Sequence, residues 1–168
     1  MNVKTMLAAL LVAIFTASVV TPAMAAESWQ HVVSSSVNPT SGQTSTLSVK
    51  AANNIPLHTS VLGGFAWVYA SGPNTVFVAV THTGVKDSIQ NPNGWHAHNV
   101  QLGAGGLNSD ACIVGLSDAN AGIAIQGNSI NVNVRNSELT GTFSSSAAAF
   151  TIVGDAGCTA TGLGVVLS

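Results

Sequence analysis

The chain has 168 residues, of which 46% are hydrophobic and 6% charged, with a formal net charge of −2. Four Lys plus Arg cannot neutralise a nucleic-acid backbone or anchor to anionic lipid, and the apolar content is too high for a disordered chain. A solvated coiled coil needs many Glu and Lys, which are absent.

Residues 1–25 read as an export signal. Lys4 gives a basic start, residues 6–20 are apolar apart from Thr16 and Ser18, and Ala23-Met24-Ala25 offers the small-x-small pattern of a signal peptidase site. Cleavage is expected after Ala25, with Ala26 as the second choice. The other reading is a retained anchor, but the apolar run is short for a span of about 20 residues. No later apolar run is long enough to cross a membrane. Loss of Lys4 leaves Lys50, Lys86 and Arg135 against six acids, a surface poor in charge that offers little electrostatic opposition to self-association. The expected location is periplasmic, extracellular or at the cell surface.

After residue 26 there is no amphipathic helical pattern. Short β-rich runs alternate with turn residues, and the expected strands are 30–37, 44–51, 64–70, 75–81, 97–102, 111–116, 122–125, 130–135, 147–153 and 163–167. Ile130-Asn131-Val132-Asn133-Val134-Arg135 alternates apolar and polar, Ile123 and Ile125 alternate before it, and Gly127-Asn128 between them reads as a tight hairpin turn. A second hairpin is expected around Ser71-Gly72-Pro73-Asn74, whose flanks are apolar on both faces. Ser144-Ser145-Ser146 reads as a flexible turn, and the Gly-rich run 102–107 as a loop. The spacing predicts an all-β chain, 26–168, folded as a single antiparallel β-sandwich of Greek-key or immunoglobulin-like type.

Cys112 and Cys158 are the only cysteines. An even count in an exported chain predicts one disulfide, closing a loop of about 46 residues and contributing roughly 4 kcal/mol in the chain-entropy account. No CxxC pair points to metal ligation instead.

The segment 81–102 differs from the rest. It holds three of the five His residues, with Lys86, Asp87 and Trp95, and the turn signal Asn91-Pro92-Asn93-Gly94. In Trp95-His96-Ala97-His98 the two imidazoles are two residues apart, so an extended backbone projects both from one side, with Cα atoms about 6.5 Å apart. Copper and zinc favour imidazole nitrogen, which makes His96 and His98 candidate ligands with His82 third; Asp87, His58 and His31 are weaker candidates. Gly94-Trp95-His96-Ala97-His98 locally resembles the Gly-aromatic-His-x-His strand of copper–zinc superoxide dismutases, which are Greek-key proteins, often exported, with one disulfide. The likeness covers five residues, and the further His ligands that the family places downstream have no counterpart, because no His follows His98. Cupin barrels also carry a His-x-His strand, but their following Glu and later His have no match at the required spacing.

Trp67 sits in an apolar run and is expected in the core, whereas Trp29 and Trp95 flank polar segments and could form a stacking platform for a glycan. There is no GxSxG elbow, no P-loop and no well-placed carboxylate pair; Glu27 and Glu138 are the only Glu residues. The expected function is an exported binding or structural module without catalysis. The alternatives are a copper- or zinc-binding protein, or small metalloenzyme, and a glycan-binding module.

Overall fold

The structure is a computed structural model that describes residues 26–69, 75–81, 94–138 and 143–168. The export signal, His82, Lys86, Asp87 and the turns at 71–74 and 91–93 lie outside the described residues. Among the described residues, apart from two 3-10 turns, Ser28–Gln30 and Asn136–Glu138, every regular element is a strand. These are β1 (Val32–Ser41), β2 (Thr44–Ala51), β3 (Gly63–Tyr69), β4 (Thr75–Thr81), β5 (His96–Gly103), β6 (Ala111–Ala119), β7 (Ala121–Gln126), β8 (Ser129–Arg135), β9 (Phe143–Gly154) and β10 (Leu163–Leu167).

The strands form a four-stranded sheet, β1-β2-β8-β7, and a closed six-stranded barrel, β10-β6-β5-β4-β3-β9. All pairings are antiparallel. The expected pair of open sheets is therefore corrected, because one of the two layers closes on itself. The cause lies in β9. Its twelve residues include the triplet read as a turn, Ser144–Ser146. The strand pairs with β3 along one edge and with β10 along the other, and β10 reaches β6 through Gly164↔Cys112 and Val165↔Ala111.

That seam is stapled. Cys112 and Cys158 form the expected disulfide, 46 residues apart in sequence, and Cys112 is itself one of the two β6 residues that meet β10. A Cβ at Gly164 would collide with the Ser109 side chain, so the seam admits a glycine there.

Alternation divides the apolar residues between two cores. On one side of β3 and β4, Phe65, Trp67, Phe77 and Ala79 meet Leu47, Val49, Ile130, Val132 and Val134 of the open sheet. On the other side Ala66, Val76, Val78 and Val80 fill the barrel with Val100, Ile113, Phe150 and Val165. This accounts for the near-continuous apolarity of the segment around 65–80, since both faces of these strands are covered. The turn between β7 and β8 is Gly127-Asn128, with Gln126 opposite Ser129 and Gly127 at φ 59°, where only glycine is at ease.

Candidate functional site

The site is built by the same alternation. Trp95 and Ala97 belong to the core between sheet and barrel. His96 and His98 therefore project to the opposite side. Their cross-strand partners are Val80 and Val78, both members of the barrel's apolar cluster, and partners across a sheet share a face. The two rings are 3% and 2% exposed. Their centroids are 4.9 Å apart and their planes nearly perpendicular. The expectation that both imidazoles share one side is met.

Each ring presents its Nδ1 to an oxygen. His96 Nδ1 is 2.7 Å from the Gly94 carbonyl oxygen. A carbonyl only accepts, so this nitrogen carries the proton, and in the neutral ring the lone pair falls to Nε2. His98 Nδ1 is 3.2 Å from Asp118 Oδ1, close but not aligned as a hydrogen bond. Asp118 stands opposite His98 in the β5–β6 register. Its side chain is 47% exposed, whereas the ring is buried, so the carboxylate joins the buried pair to solvent. Sequence reasoning did not single out Asp118. The signal for it is a register, which requires knowing that β5 and β6 are neighbours.

The other candidates are dispersed or outside the description. His31 follows the first 3-10 turn and His58 lies in the connection between β2 and β3, both at the surface. Among the described residues no group of three His, Cys, Asp or Glu could hold a metal ion. His82 and Asp87 lie outside them.

Trp29 and Trp95 do not form an exposed platform, which corrects the stacking proposal. They are 4% and 6% exposed, and with Phe65 they make an aromatic triad: Trp29 meets Phe65 and Trp95 edge-on at 5.8 and 5.7 Å, and Phe65 and Trp95 stack at 6.0 Å. The Trp95 indole N–H donates to the Pro56 carbonyl at 2.8 Å, so its one polar group is satisfied in the core. Trp29 lies in the first 3-10 turn beside the buried Gln30, and Trp95 directly precedes β5, whose first residue, His96, is itself buried, so polar neighbours do not mark exposure here.

A second polar centre, Asp155, is also buried. Its carboxylate accepts from the Leu107, Asn108 and Gly157 N–H groups and from the Ser109 hydroxyl at 2.7–3.1 Å. The Asn108 N–H and the Ser109 hydroxyl contribute most to holding its pKa at about 2, below the ordinary 3.8. A Cβ at Gly106 would strike this carboxylate. The Gly-rich loop thus wraps a structural anion beside the disulfide.

Among the described residues no helix is long and apolar enough to cross a membrane. Comparison with family models, with curated proteins and with solved structures finds no match.

Proposed function

We propose that the protein is an exported, non-catalytic β-domain whose ligand is a copper or zinc ion held by His96 and His98, with His82 as a third ligand. The observation that carries the reading is the buried pair of adjacent imidazoles, each turned so that Nδ1 faces an oxygen. Ligating histidines commonly have the far nitrogen bonded to a carbonyl or carboxylate, which leaves Nε2 its lone pair for the metal; His96 makes such a contact with the Gly94 carbonyl, and His98 has the Asp118 carboxylate 3.2 Å away. Borderline ions such as Cu²⁺ and Zn²⁺ accept imidazole readily. Export is supported by the segment ending in Ala23-Met24-Ala25 and by a disulfide of the kind that persists in oxidising compartments.

The test is titration of the purified exported protein with Cu²⁺ and Zn²⁺. Binding in the micromolar range or tighter is expected. It is lost in His96→Ala/His98→Ala and weakened in His82→Ala. Asp118→Asn keeps the ligands but removes the carboxylate behind His98, and loses about 10- to 100-fold in affinity. Equal, weak binding by the parent and the double variant would remove the reading.

A further inference from the structure

The open sheet has two edges, and they differ. β1 carries Pro39 and two breaks of register, at Val32/Ser34 and Pro39/Ser41. Such features discourage a further strand from pairing. β7, Ala121-Gly122-Ile123-Ala124-Ile125-Gln126, has no charge, no proline and an unbroken register with β8. Among the described residues nothing pairs with its other edge.

The hairpin fixes which groups that edge presents. With a two-residue turn, the flanking pair Gln126↔Ser129 exchanges hydrogen bonds, and bonded and non-bonded pairs then alternate. Ala121, Ile123 and Ile125 are the non-bonded members, so their N–H and C=O groups point away from β8. The same three residues are only half-buried, at the margin of the core between sheet and barrel. Gly122 and Ala124 are small and exposed on the opposite face.

We propose that β7 is a self-association edge, at which two copies of the chain pair antiparallel about Ile123. In this register Ile123 meets its own copy, Ala121 meets Ile125, and Gly122 meets Ala124. Outward-pointing N–H and C=O groups face one another, apolar residues meet on the core side, and small residues meet on the solvent side. No pair brings like charges together. A one-residue slip would set core-facing residues against solvent-facing ones. The partner is a second copy because the strand is self-complementary in face, size and hydrogen bonding, and because pairing covers the exposed margin of Ile123 and Ile125. The product is an eight-stranded sheet with a barrel at each end.

The experiment is sedimentation velocity of the purified exported protein, from low to high micromolar, beside Gly122→Lys/Ala124→Lys. Nothing lies within 4 Å of a Cβ built on Gly122 and Ala124 is exposed, so the variant monomer keeps its fold, which its circular dichroism and melting temperature verify. Pairing would set ammonium groups directly opposite one another. The parent is expected to sediment as a dimer and the variant as a monomer at every concentration. Amide exchange at Ala121, Ile123 and Ile125 is expected to slow as the parent dimerises. A parent that is monomeric throughout, a variant that remains dimeric, or protection of these amides in the monomer would overturn the proposal.

Discussion

Asp155 shows what one buried carboxylate can organise. Four donors from two separate segments converge on it, and its depressed pKa is the consequence. The sign follows from linkage: a carboxyl whose folded pKa lies below its unfolded value adds stability above the unfolded value, and that stability is lost as the pH falls from about 4 to about 2. Asp155→Asn should therefore lower the melting temperature at neutral pH, and the gap to the parent should close as the pH approaches 2; thermal melts across pH 2–7 check this. The residue was not legible in the sequence as an anchor, because its donors include backbone N–H groups, and backbone donors leave no mark on composition. The His pair was legible, because an i, i+2 spacing has one geometric meaning on a strand. The aromatic residues are the converse case: their polar neighbours imply exposure, yet Gln30 beside Trp29 and His96 beside Trp95 are themselves buried.

Among the elements, three strands, Thr44–Ala51, Thr75–Thr81 and Leu163–Leu167, begin and end where the residue pattern placed them, and the other seven shift by a few residues. The β7–β8 hairpin was the clearest, since alternation and turn chemistry agreed. β9 was the poorest, because its serines resemble a turn: β10 pairs only with its second half, Phe150–Gly154, and the serines fall where the register with β3 is irregular. Gly164 on β10 is a sharper case. It resembles a weak strand residue, yet its missing side chain is what lets β10 lie against Ser109. Gly164→Ala is expected to cost about 1–3 kcal/mol through overpacking at the barrel seam. Urea denaturation at fixed pH measures it; an unchanged midpoint would show that the seam yields without cost.

At the level of the whole molecule, the all-β class and the disulfide could be read from composition and cysteine arithmetic, but barrel closure could not. Near-continuous apolarity says that a strand has two covered faces. It does not say whether the cover is a second open sheet or the strand's own layer curled round. That choice is made by which edges meet, here β10 with β6. The Cys112–Cys158 bridge lies at this junction. Its reduction is expected to lower unfolding stability by roughly 4 kcal/mol, checked by denaturant unfolding with and without a thiol reductant. Closure also gives the histidines their setting, since it places His96 and His98 beside an apolar interior with Asp118 at its margin.

The most direct test of that setting is nuclear magnetic resonance of the ring nitrogens in ¹⁵N-histidine-labelled protein, before and after one equivalent of Zn²⁺. The Nε2 resonances of His96 and His98 should move together while His96 Nδ1 keeps its proton. Ring nitrogens that stay unchanged, or a metal that reports on His31 or His58 instead, would contradict the account.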